Sequence, residues 1–179
     1  MLISRPIGLD SQCLSYLIDA MQGSSEPSGD LAAEKIALFR TYLYTEGTLF
    51  VTPRVIEECA KIRNEANKNL HETYLNDLFD VLPLNSPSNV GARTHTLSAF
   101  HSGLPNLSDC RILAEAEDVG FSALLTYDAD FLRHLHGKGK VDLVRPSAFW
   151  AELKIPAGAK PNKIPHPKNP LSTEVWWRW

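Results

Sequence analysis

SDCRILAEAEDVGFSALLTYDADFL (108–132) places a helix, a turn, a buried strand and the start of another helix in one short run. Ser108 is a residue type that caps helices, and Gly120 is one that ends them, so a helix is expected over 109–119. At about 100° per residue, Asp109, Ile112, Leu113 and Ala116 fall on one face. SALLT (122–126) has the length and apolarity of a strand covered on both faces. Asp130, ahead of Phe131, Leu132 and Leu135, reads as the cap of a short helix over about 130–136. Such an alternation belongs to a parallel sheet wrapped by helices.

The same rhythm extends outward in both directions. IGLD (7–10) reads as a strand and residues 11–21 as a helix whose face carries Cys13, Leu14, Leu17 and Met21. QGSSEPSG (22–29) is a break, after which Asp30 can cap a helix over 31–46. TLFV (48–51) is a strand. Thr52-Pro53 then opens a helix running to about 66, with proline at the first helical position. A helix over 69–79, a strand over 79–84 and a helix over 89–101 follow, and VDLV (141–144) with a short helix over 146–151 completes the pattern. Residues 1–151 are therefore expected to form a three-layer α/β/α domain with a mostly parallel central sheet. Beyond it, IPAGAKPNKIPHPKNPLSTEVWWRW (155–179) is too rich in proline for a regular helix or a central strand. Residues 152–179 read as an extended arm lying on the domain or on a partner, because Trp176, Trp177 and Trp179 are unfavourable to leave in water.

The chain has 179 residues, 44% hydrophobic and 22% charged, with a formal net charge of −3 and a mean hydropathy of −0.18. That balance excludes a global basic field, so any nucleic-acid partner needs a local one. No stretch reaches the length of a membrane span, and MLISRPIGLD meets Pro6, Gly8 and Asp10 before an apolar run suited to a signal peptide. Cys13, Cys59 and Cys110 are odd in number and form no CxxC pair, which suits buried thiols in a reducing, cytoplasmic setting.

Four acids stand at the corners of this pattern. Asp10 points the same way as Leu14, Leu17 and Met21, and Asp109 heads the apolar face of its own helix, where a carboxylate is costly unless something positive meets it. On the helix from Pro53, with Val55, Cys59, Ile62 and Ala66 as the buried stripe, Glu58 lies about 60° from the stripe's centre and Glu57 nearly opposite it. Glu58 can thus reach a cleft, and Glu57 reads as a solvated surface residue. Asp128 follows the strand 122–126 at its carboxyl end, where open α/β sheets place ligands. Asp128 is the expected site acid and Asp130 a cap or outer-shell residue, although the two roles are exchangeable from sequence. Widely separated carboxylates brought together suit a hard divalent ion, and no Cys/His cluster suggests zinc.

At these residues the chain resembles the PIN-domain nuclease family, and in particular its bacterial toxin-type ribonucleases. GLDSQCLSYLID (8–19) looks like the first motif, VTPRVIEECAKI (51–62) like the second, and NLSDCRILAEAEDVGFSALLTYDADFLRH (106–134) like the last two in order and spacing. The resemblance covers about residues 5–150. It implies a metal-dependent ribonuclease in which Asp10, Glu58, Asp109 and Asp128 bind Mg²⁺ or Mn²⁺ directly or through water and hydrolyse RNA phosphodiester bonds. Implied partners are RNA, an antitoxin protein if the chain is a toxin, and further copies of the chain. Where the family commonly shows Thr or Ser followed by Asn, this chain carries Ser11 and Gln12; the longer Gln12 can still hydrogen-bond an acid or its water. Arg54, Arg111, Arg133, Lys138 and Lys140 are candidate phosphate contacts. The alternative is a catalytically degenerate PIN-like module that binds protein or RNA, and a different Mg²⁺-dependent phosphoryl hydrolase is a third reading.

Overall fold

A computed structural model describes residues 6–23, 25–101 and 107–179. MLISR, Ser24 within the 22–29 break, and Asn106 at the head of the third matching run lie outside the described residues. The elements in chain order are β1 (Ile7–Leu9), α1 (Ser11–Met21), α2 (Ala32–Tyr44), β2 (Leu49–Val51), α3 (Pro53–Cys59), α4 (Glu65–Leu78), β3 (Asp80–Val81), α5 (Pro87–Ser98), α6 (Leu107–Val119), β4 (Ala123–Leu125), α7 (Ala129–Leu135), β5 (Asp142–Val144) and α8 (Pro146–Glu152). The strands form one sheet in the order β3-β2-β1-β4-β5, and every neighbouring pair is parallel. The architecture is a three-layer α/β/α fold, and where a mostly parallel sheet was expected all the described pairings are parallel.

Strand order decides where a ligand can sit. From β1 the chain steps outward to β2 and β3, then returns across both and adds β4 and β5 on the other side of β1. The reversal leaves a crevice between the carboxyl ends of β1 and β4, the switch point at which open α/β sheets bind their ligands. Leu9, Val51, Leu124 and Leu125 are sequestered from solvent, and Leu14, Leu17, Ile112 and Leu113 join the same core. Gly8 on β1 is required by close packing: a Cβ there would fall 2.3 Å from the Phe121 ring. Gly8→Ala is therefore expected to lower stability by about 1–3 kcal/mol. A urea midpoint equal to that of wild type would show that the ring gives way freely.

Several boundaries differ from the sequence reading. The helix from Pro53 stops at Cys59, and a new one starts at Glu65 because the Asn64 side chain accepts the Asn67 N–H at 3.0 Å. Ile62 and Ala66 therefore do not continue the stripe of α3. The strand expected over 79–84 reduces to Asp80–Val81. Asp30 does not cap α2, whose N-cap position is Leu31, and α2 ends at Tyr44. The helix expected over 89–101 begins at Pro87, with its last turn (Ala99–His101) wound as a 3₁₀ helix. Ser108 lies inside α6, which frees its hydroxyl for a neighbour. Asp128, not Asp130, caps α7, accepting the N–H groups of Asp130 and Phe131 at 2.8 and 3.1 Å. A carboxylate one residue outside the helix reaches those orphan donors; one inside the first turn is turned away from them.

The proline-rich segment runs back over the domain. Leu171, Trp176 and Trp177 are buried, Phe39 stacks on Trp176, and Trp150 meets Trp179 edge-on. Prolines remove backbone donors, and side chains of the domain and of the segment supply the missing bonds. Arg40 donates to the carbonyls of Trp176, Trp177 and Arg178, while Lys163 donates to those of Tyr42, Thr45 and Gly47 at the carboxyl end of α2. Among the described residues no helix is long and apolar enough to cross a membrane.

Candidate active site

Asp10 stands directly after β1 as the N-cap of α1 and is 3% exposed. One carboxylate oxygen accepts the Cys13 N–H at 2.6 Å, and the other accepts the Thr126 hydroxyl. Thr126 lies just past β4, in register with Asp10 across the switch point, since Leu9 pairs with Leu125. Its hydroxyl also accepts the Asp128 N–H at 3.0 Å, so one threonine links two of the four acids. Gln12 braces Asp128 from the other side: its side-chain amide donates to Asp128 Oδ2 at 2.8 Å, and its main-chain carbonyl accepts the Tyr127 hydroxyl at 3.0 Å. The longer side chain of Gln12 thus reaches an acid of the cluster. Ser11 lines an adjacent cleft of about 450 Å³ together with Gln12, Tyr16, Lys35, Glu58 and Tyr127.

The second half of the site comes from α3 and α6. Ser108 and Asp109 share the first turns of α6, and the Ser108 hydroxyl donates to Glu58 while accepting Arg54 Nε at 2.9 Å. Arg54 Nε also lies 3.8 Å from Glu58. Glu57, although 45% exposed, is not merely solvated: Arg111 forks its carboxylate at 2.8 and 3.1 Å, and Arg54 donates to it at 2.9 Å. These two arginines hold its carboxyl below the ordinary range, the Arg54 hydrogen bond being the largest cause. Glu115 is 0% exposed and joins the network by accepting the Arg54 N–H at 2.7 Å and Arg111 Nε at 3.0 Å. Asp130 is exposed and paired with Arg133. Three of the five cations considered for phosphate are therefore engaged by acids in this structure.

Mutual repulsion marks the acids as neighbours. Burial raises the Asp10 carboxyl to about 6, with hydrogen bonds from Thr126 and Cys13 opposing and the charge of Asp128 adding. The Asp109 carboxyl rises to about 7, first through burial and then through the negative charges of Asp128, Glu58, Asp10 and Asp130. Asp109 thus senses every other acid of the predicted set, so β1, α3, α6 and the β4–α7 turn converge. Burial likewise pushes the Cys13 thiol up. All three cysteines are buried and free.

The donor chemistry suits a hard cation: carboxylate oxygens flanked by threonine and serine hydroxyls, with an excess of negative charge. Among the described residues, however, no three His, Cys, Asp or Glu side chains are arranged to hold an ion as they stand. Asp128 is held by Gln12 and the α7 amides, and Glu58 by Ser108 and Arg54. One further oxygen supports the fit. Thr52 Oγ1, directly after β2, is solvent-excluded and has no hydrogen-bond partner, an arrangement that costs about 1–3 kcal/mol if nothing fills it.

Sequence reasoning passed over Thr126, Ser108, Thr52 and Glu115. Thr126 sits in an apolar run and reads there as a strand residue. Ser108 and Thr52 both read as caps, and only the pairing of distant segments shows otherwise. No protein-family model matches this chain, and no curated protein matches it.

Proposed function

We propose that the chain is a metal-dependent endoribonuclease of the PIN-domain type, hydrolysing RNA phosphodiester bonds at the cluster of Asp10, Glu58, Asp109 and Asp128. The observation that carries the reading is the convergence of these acids on the β1/β4 switch point, with Thr126 bonded to both Asp10 and Asp128. The motif resemblance supports it, and so does the oxygen-only donor set. Asp10, Glu58, Asp109 and Asp128 would hold Mg²⁺ or Mn²⁺; when bound, the ion neutralises phosphate charge and lowers the pKa of water. Thr126 and Gln12 keep Asp10 and Asp128 oriented, as outer-shell partners of ion ligands do. Asp109, raised to about 7, becomes fully anionic only above neutrality, so ion affinity is expected to climb between pH 6 and 8. RNA approaches along the cleft lined by Ser11, Gln12 and Glu58, beside Lys35. The three free thiols suit a reducing, cytoplasmic setting. An antitoxin and self-association are the protein partners of this reading.

The test is cleavage of single-stranded RNA with Mn²⁺ present and after its removal by EDTA. Cleavage that depends on the ion supports the proposal; equal cleavage in both, or none in either, overturns it. A second reading, a non-catalytic PIN-like module for protein or RNA, is favoured by the hydrogen bonds that occupy Asp128 and Glu58. It predicts a folded protein with no calorimetric Mn²⁺ binding at millimolar ion.

A further inference from the structure

Arg54 and Glu58 stand one turn apart on α3, the spacing at which a guanidinium and a carboxylate meet on a helix surface. They do not close on each other. Arg54 Nε lies 3.8 Å from Glu58 Oε1, about 1 Å beyond a charge-assisted hydrogen bond. The Ser108 hydroxyl of α6 occupies the approach: it accepts Arg54 Nε at 2.9 Å and donates to that same Oε1. Both contacts of Glu58 fall on Oε1, so an ion would take Oε2. Glu58 meanwhile lines the cleft that Ser11 and Gln12 share.

Other acids hold the rest of Arg54 in place. Its main-chain N–H goes to the buried carboxylate of Glu115 at 2.7 Å, and Nη1 goes to Glu57 at 2.9 Å. A guanidinium tethered this close to a proposed ligand competes with the ion, because a direct pair would offset the charge that attracts it. Ser108 gives Nε a neutral acceptor instead. Without that hydroxyl, Glu58 Oε1 would be the nearby acceptor for Nε, 3.8 Å away.

We infer that Ser108 is a positioning residue of the ion site: its hydroxyl is a wedge that keeps the Arg54 guanidinium from pairing directly with Glu58, so that Glu58 keeps its charge for the cation. The inference rests on the cation-dependent reading proposed above. It goes beyond that reading in giving the cluster a built-in competitor and a residue that restrains it.

The test is a calorimetric Mn²⁺ titration of wild type, Ser108→Ala, Arg54→Met and the double variant, each also melted in EDTA. Ser108→Ala is expected to bind Mn²⁺ about ten- to a hundredfold more weakly, the usual cost of an outer-shell partner. Arg54→Met keeps the main-chain N–H that Glu115 accepts but removes the competitor, so it should bind at least as tightly as wild type. In that background Ser108→Ala should cost less than about twofold, the tolerance of independent sites. Alanine suits a helix better than serine, and Arg54 regains a partner in Glu58. Metal-free Ser108→Ala should therefore melt at or above the wild-type temperature. Wild-type affinity in Ser108→Ala, an equal loss in both backgrounds, or weaker binding by Arg54→Met overturns the wedge while leaving the cation site intact. So does a metal-free melting temperature well below wild type, which would make the hydroxyl a stability element. Wild-type protein that binds no Mn²⁺ at millimolar concentration overturns both the wedge and the cation site.

Discussion

Asp109→Asn is expected to abolish Mn²⁺-dependent RNA cleavage, losing more than the ten- to hundredfold that an outer-shell partner costs, while making the metal-free protein more stable at pH 8. The two effects come from one cause. Burial and the charges of Asp128, Glu58, Asp10 and Asp130 raise this carboxyl to about 7. The folded state therefore retains a proton that the unfolded chain, titrating near 3.8, gives up. Stability from this group is complete below about pH 4 and is lost as pH rises through 7. Asparagine resembles the protonated form and escapes the loss. With solvent screening allowed for, the gain at pH 8 is about 1–2 kcal/mol, or roughly 2–4 °C in Tm per kcal/mol for a chain of this size. The difference should close as pH falls toward 4. Asp10, raised to about 6, adds to the same slope in both proteins. Mn²⁺ should restore the wild type's stability at pH 8, because an ion that binds only the folded form stabilises it by mass action. Cleavage as fast as wild type by a folded Asp109→Asn would remove the acidic site from the reaction. A stability difference that is flat with pH would show that the four acids do not act on this carboxyl.

Trp177→Ala is expected to be the most destabilising single change in the proline-rich segment, at about 3–5 kcal/mol. The indole is 2% exposed, and its N–H donates to the Leu171 carbonyl at 2.9 Å within the same segment. Its main-chain carbonyl accepts Arg40 from α2. Removing the ring empties a large volume and leaves the Leu171 carbonyl without its donor. A fall in Tm on the order of 10 °C follows. The proposed ion binding, assigned to strand ends away from this contact, should change little at temperatures where the variant is folded. A loss below 1 kcal/mol would mean that the segment is not part of the cooperative unit.

The layers of the fold were legible because their signals are local. Short apolar runs such as SALLT and helical stripes such as Leu14, Leu17 and Met21 announce strands and helices without reference to distant residues. Asp10 and Asp109 could be picked out for the same reason: each lies on the buried side of its own helix. Glu58 over Glu57 was selected by phase, but the network that holds the pair was not visible. Arg111 and Glu115 reach α3 from a helix more than fifty residues away. The break after Cys59 escaped because KIRNEANK contains no strong helix breaker, and the new start depends on a single Asn64 side-chain bond. Assigning the α7 cap to Asp130 instead of Asp128 was an error of two positions in a turn where both residues are acidic. Thr126 acquires its meaning only from strand register, which is a property of the assembled sheet.

The first turn of α3 has its amide held by Glu115, a residue 61 positions further along the chain. A helix start borrowed from so far away is not secured by its own sequence, and closing that loop carries an entropic cost before the contact is made. In folding kinetics, α3 and the Glu58 it carries should therefore consolidate after α6 has docked on the sheet. Substitutions of Arg54 or Glu115 would then act mainly on the unfolding rate, with φ-values near zero. The acidic crevice, on this account, is among the last parts of the molecule to take shape.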